Sequence, residues 1–309
     1  MESKKILFIY NPRAGRGLIK NHLFEIVQSV SEKGYILTVI PTQAKGDATE
    51  IVKTINLDEY ERLLCCGGDG TLGEVVNGLM VTKPNMTIGY IPAGSTNDFA
   101  SSLEIPSNVH DAVEIAITGD VRRCDVGKFN DKYFMYVAAF GMFTDVAYST
   151  DQGLKNAIGH LAYLLKGASE IANIKPYHMR FEYDDGVEEG DYLLGLVSST
   201  TSIGGVLNLK ALDVSMDDGM FEVILIKAPE QGRDIQEFTR DLADTFTTAI
   251  TTGETMLRVN IEKNIVKFKA SFLNIEAFDE PAWTLDGEYG GNDHEIKIQN
   301  LRQQMWIAR

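Results

Sequence analysis

Five short polar segments carry side chains that could do chemistry: Asn11 to Gly17 (NPRAGRG), Gly67 to Thr71 (GGDGT), Pro92 to Ala100 (PAGSTNDFA), Asp217-Asp218-Gly219 and Leu285 to Glu288 (LDGE). The first three suit phosphate. Gly15, Gly67, Gly68, Gly70 and Gly94 permit close backbone approach, Arg13 and Arg16 can neutralise phosphate oxygens, and Ser95 and Thr96 offer hydroxyl donors. Backbone N–H groups at a strand-to-helix turn also face an anion readily. Asp69 is an acid in the middle of such a cradle, which makes sense where a metal ion offsets its charge. Asn97 or Asp98 could equally be an ordinary helix cap. Taken singly, GGDGT is also compatible with a plain tight turn, and NPRAGRG with a basic surface loop. Three such loops after three parallel strands would converge on one sheet edge, where ligands of α/β proteins bind.

Gly68 to Gly73 formally matches GxGxxG, yet the next strand ends in Tyr90-Ile91-Pro92 without the acid a dinucleotide fold places there, so a dehydrogenase is disfavoured. Walker A, GxSxG and HExxH are absent, and His22, His110, His160, His178 and His294 are scattered. Asp213, Asp217 and Asp218 before Gly219 fail the EF-hand pattern and read as a turn. Asp286-Gly287 is a strong hairpin signal. Functionally, Asp286 could accept a hydroxyl proton during phosphoryl transfer, with Glu288 holding it or a metal in place.

The elements that must position these loops alternate through the first 120 residues. Strands are expected at Lys5–Tyr10, Tyr35–Ile40, Arg62–Cys66 and Thr87–Ile91. Helices are expected around Leu23–Val30, Ala48–Ile55, Leu72–Leu79 and Val109–Ile117, a pattern that predicts a parallel sheet covered by helices. After about residue 122, strand signals dominate at Tyr192–Ser198, Phe221–Lys227, Met256–Ile261 and Ile265–Phe272, with helices expected at Leu154–Ile171 and Asp234–Thr251.

The chain has 309 residues, 44% of them hydrophobic, and a net charge of −15, which suits a globular protein with a substantial core and disfavours binding to nucleic acid. Residues 1 to 20 oppose that charge with Lys4, Lys5, Arg13, Arg16 and Lys20 against Glu2, as a small anionic ligand would require. No run of about 18 apolar residues predicts a membrane span. The start lacks a secretory leader, and Cys65, Cys66 and Cys124 read as buried thiols, so a cytoplasmic setting is expected.

The motifs NPRAG, GGDGT, PAGSTNDFA, DDG and LDGE, in this order over nearly the whole chain, resemble the diacylglycerol kinase catalytic-domain family of soluble bacterial lipid kinases, related to sphingosine kinases and distantly to NAD kinases. The resemblance implies an N-terminal Rossmann-like α/β domain over residues 1–125, with the chain end from about 292 to 309 returning to it, and a C-terminal β-sandwich domain over 126–291. It places MgATP in a cleft between the two. It assigns Asn11, Arg13, Gly15, Gly67 to Thr71, and Gly94, Ser95, Thr96, Asn97 and Asp98 to the nucleotide, and Asp69 to the catalytic Mg²⁺. Asp286 becomes the general base with Glu288 its companion. Asp218, Ser215 and Met220 become candidates for a structural Mg²⁺.

The implied reaction moves the γ-phosphate of ATP to a lipid hydroxyl, foremost diacylglycerol, at the inner face of a membrane that the protein touches peripherally. A homodimer is left open. NAD kinase, which shares GGDGT, and a regulatory nucleotide binder are the alternatives. Two departures lie in the half expected to meet the acceptor. Ser198 to Ile203 stands where relatives carry an Asn-containing segment, and Lys210 where Pro is common.

Overall fold

The computed structural model describes residues 4–17, 19–94, 97–141, 175–200, 215–229 and 263–309, with isolated positions between 202 and 241. It divides into two compact units, Met1–Val126 with Leu301–Arg309, and Gly127–Asn300.

In the first unit, β1 (Lys5–Tyr10) lies between β2 (Ile36–Pro41) and β3 (Arg62–Gly67), and β4 (Thr87–Pro92) continues from β3, all in parallel. Trp306 and Ile307 at the chain end pair in parallel with Thr87 and Ile88 of β4. Strands covered on both faces read as unbroken apolar runs. Ile6 to Ile9 and Leu63 to Cys66 are accordingly buried throughout, whereas the edge strand β2 leaves Ile36 half exposed. The helices are α1 (Ile19–Glu32), α2 (Asp47–Thr54), α3 (Asp69–Thr82), α4 (Asp98–Ser102) and α5 (Val109–Thr118). α1 buries Ile19, Ile26 and Val30, and Val27 of the expected stripe turns outward. α2 begins at Gly46, which has no side chain to cap it. Glu74 of α3 supplies the cap instead, accepting the N–H groups of Gly46 at 2.7 Å and Ala48 at 3.1 Å.

The second unit is strand-rich. The chain enters it along β5 (Val121–Phe129), which pairs with β6 (Lys132–Phe134), and continues through β7 (Val137–Gly141). β8 (Tyr177–Tyr183) and β9 (Gly186–Ser198) form a hairpin. The far half of β9 pairs with β7 on one side, bringing Ser198 opposite Val137. β10 (Ser202–Ile203) and β11 (Leu207–Asn208) make a two-residue ladder. β12 (Phe221–Lys227) lies antiparallel to β9 and to β13 (Ile265–Ala270). β14 (Phe272–Ala277) pairs with β8 and with the start of β17 (Glu295–Ala308), and β15 (Trp283–Leu285) joins β16 (Glu288–Gly291) and β7. The core gathers Phe140, Phe181, Tyr192, Phe221 and Trp283, with the Phe140 and Trp283 rings 4.8 Å apart.

The single strand expected over Ile265–Phe272 is two strands. Asp184, in the β8–β9 turn, accepts both the N–H (2.7 Å) and the hydroxyl (2.6 Å) of Ser271, and pairing changes partner at that residue. The helix expected over Leu154–Ile171 and the strand over Met256–Ile261 lie outside the described residues. Of Asp234–Thr251, the described positions Ile235, Glu237, Phe238 and Asp241 are helical.

Candidate active site

The loops after β1, β3 and β4 leave the same edge of the parallel sheet, because Tyr10 is in register with Cys66 and Gly67 with Pro92. They are bonded to one another. Asn11 N–H donates to the Cys66 carbonyl (2.9 Å), Ala93 N–H to the Gly67 carbonyl (2.8 Å), and Asn11 Nδ2 to Thr71 Oγ1 (3.3 Å). Asn11 Oδ1 accepts the N–H of Arg13 (2.9 Å), which fixes the turn carrying that exposed arginine and Gly15. Gly68 and Gly94 bring two backbones together, since a Cβ on Gly94 would lie 2.6 Å from the Gly68 Cα. Gly68 begins α3 without a side-chain cap, so the partial positive charge of a 14-residue helix opens at this junction through Asp69 and Gly70.

Asp69 ties two of the loops together. Its Oδ2 accepts the N–H of Asp98 at 3.0 Å and its Oδ1 that of Phe99 at 3.3 Å. Burial pushes its carboxyl up from the ordinary aspartate value, and these N–H donors partly oppose the shift. The choice between Asn97 and Asp98 as cap of α4 is thereby resolved. Asn97 occupies the cap position in a left-handed conformation with no side-chain capping bond, and Asp69 takes over that role from α3. Asn97 instead brackets Gly94, accepting its N–H (2.9 Å) and donating to its carbonyl (3.0 Å). Asp98 is buried. Ser95, Thr96 and the side chain of Arg16 lie outside the described residues.

In the second unit, Asp286 and Gly287 form the two-residue turn of the β15–β16 hairpin, both at positive φ, as Asp-Gly predicts. The carboxylate folds back onto β7 and the residues before it. Oδ2 accepts the N–H of Met135 (2.6 Å), and Oδ1 accepts those of Tyr136 and Val137 (both 3.0 Å). The Tyr136 hydroxyl donates to the Asp286 carbonyl (3.2 Å), and Asp286 N–H to the Val137 carbonyl (2.8 Å). Glu288 opens β16, exposed and in register with Leu285. The partners Met135 to Val137 give no sequence signal, because they act through main chain inside an apolar run.

Asp218 meets a cation belonging to the chain. Its Oδ1 accepts the N–H of Met220 (2.9 Å), and its Oδ2 lies 3.5 Å from the Lys269 ammonium, which is also 3.1 Å from the buried Glu222. Ser215 directs its hydroxyl to Asp217 Oδ1 (2.7 Å). Among the described residues no three His, Cys, Asp or Glu side chains gather as a metal-binding set.

Residues 5–129 match the diacylglycerol kinase catalytic domain. The chain is 36% identical to the diacylglycerol kinase of Bacillus subtilis (strain 168), over 93% of this chain and 91% of that one. It belongs to the diacylglycerol kinase catalytic-domain family. A second relative, the diacylglycerol kinase of Staphylococcus carnosus (strain TM300), is 35% identical over 98% of this chain and 94% of its own. A crystal structure of a Bacillus anthracis str. Sterne protein has the same fold, with a TM-score of 0.81 at 26% identity, covering 100% of this chain and 97% of that chain. This family member is thus a lipid kinase, built as an α/β unit and a strand-rich unit. Among its described residues no helix is long and apolar enough to cross a membrane.

Proposed function

We propose that the protein transfers the γ-phosphate of MgATP to the free hydroxyl of diacylglycerol, forming phosphatidic acid at a membrane surface that it touches peripherally from the cytoplasm. The names of its relatives support the acceptor. The observation that carries the chemistry is Asp286, a carboxylate aimed by three backbone N–H bonds. Phosphoryl transfer passes through a loose transition state in which positioning and charge stabilisation matter more than covalent help. In this reading Asp286 accepts the acceptor hydroxyl's proton, and its rigid seat orients that hydroxyl.

The loops around Asn11, Gly68 and Gly94 suit the triphosphate. The uncapped N-terminus of α3 offers main-chain donors, and the glycines leave no side chain in the way. Asp69 and Asp98 are the carboxylates of these loops, and in this reading Asp69 would hold magnesium. Bound there, the ion would neutralise charge on the transferring phosphoryl group. Asp69's bonds to α4 give it a second task, holding the loop of Gly94 to Asp98 against that of Gly68.

The test is transfer from labelled MgATP to vesicles containing diacylglycerol, with NAD and sphingosine in parallel and Asp286→Asn as control. Labelled phosphatidic acid from the wild type alone is the expected result. Labelled NADP, a sphingosine product, or undiminished transfer by Asp286→Asn would overturn the reading.

A further inference from the structure

The segment Met135–Val137 is gripped at both ends of its peptide groups. The N–H groups of Tyr136 and Val137 converge on Asp286 Oδ1. The carbonyls of the same two peptide groups belong to Met135 and Tyr136. Ser199 Oγ donates to the Met135 carbonyl (3.2 Å) and Ser198 Oγ to the Tyr136 carbonyl (2.9 Å), which also takes the N–H of Ser199 (3.2 Å). A peptide group is planar and rigid, so fixing its carbonyl fixes the direction of the N–H on its other side. A donor at the carbonyl also polarises the group and strengthens its N–H as a donor.

We propose that Ser198 and Ser199 are positioning residues for phosphoryl transfer, each holding the far end of a peptide plane whose near end aims Asp286. The inference rests on the role given to Asp286 above. The two serines are 1% and 2% exposed, so their hydroxyls have no solvent role. Thr200 N–H donates to Ser198 Oγ (3.2 Å), which orients that hydroxyl in turn. The placement follows from register, since β9 ends at Ser198 opposite Val137 and the chain then runs past Tyr136 and Met135. Two hydroxyls thus meet two carbonyls, and that of Tyr136 keeps the N–H of Ser199 where the Ser198 hydroxyl is removed.

Ser198→Ala and Ser199→Ala, singly and together, are tested for kcat and KM with diacylglycerol vesicles. Each single change is expected to lower kcat on the order of tenfold to a hundredfold, with KM for MgATP unchanged. Ser198→Thr and Ser199→Thr, which keep the hydroxyl, should retain most of kcat. An unchanged kcat, or a loss of kcat matched by an equal loss of MgATP affinity, would overturn the proposal.

A readout independent of activity is amide hydrogen exchange. Tyr136 and Val137 should exchange faster in the alanine variants while Ala138–Gly141 stay protected, and unchanged exchange would overturn the clamp. If the wild type transfers no phosphate, the assignment of Asp286 fails, and exchange still decides whether the serines order this segment. If the double variant does not fold, the single variants carry the test.

Discussion

Asp69 in the α/β unit and Asp286 in the strand-rich unit are the same residue type, each beside a glycine, and both spend their carboxylates on backbone N–H groups. They are built differently. Asp69 reaches from the start of α3 to the start of α4, joining two loops of one sheet edge, with two donors at 3.0 and 3.3 Å. Asp286 sits in a hairpin turn at positive φ and takes three donors at 2.6 to 3.0 Å from consecutive residues of a separate segment. The first is a bracket between two loops, and burial works against its charge. The second is a seat whose only evident product is a fixed carboxylate direction. In the function proposed above, the first would lie beside the triphosphate and the second at the acceptor hydroxyl.

The comparison breaks most visibly under alanine. Asp286→Ala strands three N–H groups and should cost about 3 kcal/mol of stability together with essentially all transfer. Asp69→Ala strands two but also removes a buried charge, and should cost nearer 1 kcal/mol. Urea denaturation monitored on both variants checks this. Equal losses would mean that the two carboxylates are interchangeable structural staples.

That asymmetry was only partly legible in the sequence. The strands β1, β3 and β4 are readable because burial on both faces writes continuous apolar runs, and the loops after them because glycine and polar residues interrupt those runs abruptly. Asp286-Gly287 is readable because a two-residue hairpin demands positive φ at both positions. The partners of the carboxylates are not readable. A backbone N–H looks alike at every residue, so nothing in Phe134 to Ala138 marks it as the seat of an acid, and Asn97-Asp98 looks self-capping until Asp69 is seen to arrive from α3. Glu25 teaches the same lesson. Its two oxygens hold Nδ1 of His22 and of His110, each at 3.0 Å, although in sequence the histidines are merely scattered.

Glycine substitutions sharpen the contrast at smaller amplitude. A Cβ at Gly94 would meet the Gly68 Cα at 2.6 Å and Asn97 Oδ1 at 2.7 Å, so Gly94→Ala must push the two backbones apart. MgATP affinity should fall at least tenfold, about 1.4 kcal/mol, as read by calorimetry. Gly287→Ala meets nothing within 4 Å, and only its φ of +83° is strained. It should cost roughly 1–2 kcal/mol of stability and leave MgATP affinity unchanged. If Gly94→Ala binds MgATP normally, the contact between loops is packing rather than a phosphate site.

The smallest effect is in pH dependence, and its sign follows from the desolvation of Asp69. A carboxyl whose folded-state pKa is raised binds its proton more tightly in the folded protein than in the unfolded chain. Its contribution to stability is then fully present below the unfolded aspartate value and is lost as pH rises through the raised folded value. Asp69→Asn removes that titration while keeping one oxygen for the α4 N–H groups. The stability of the wild type relative to Asp69→Asn should therefore be greatest at acid pH and decline towards neutrality, a trend measurable as the difference between two urea midpoints across pH 3.5 to 7. The opposite slope would mean that the donors from Asp98 and Phe99 outweigh burial. Asp69 would then be a seated anion like Asp286, and the distinction between the two regions would rest on turn geometry alone.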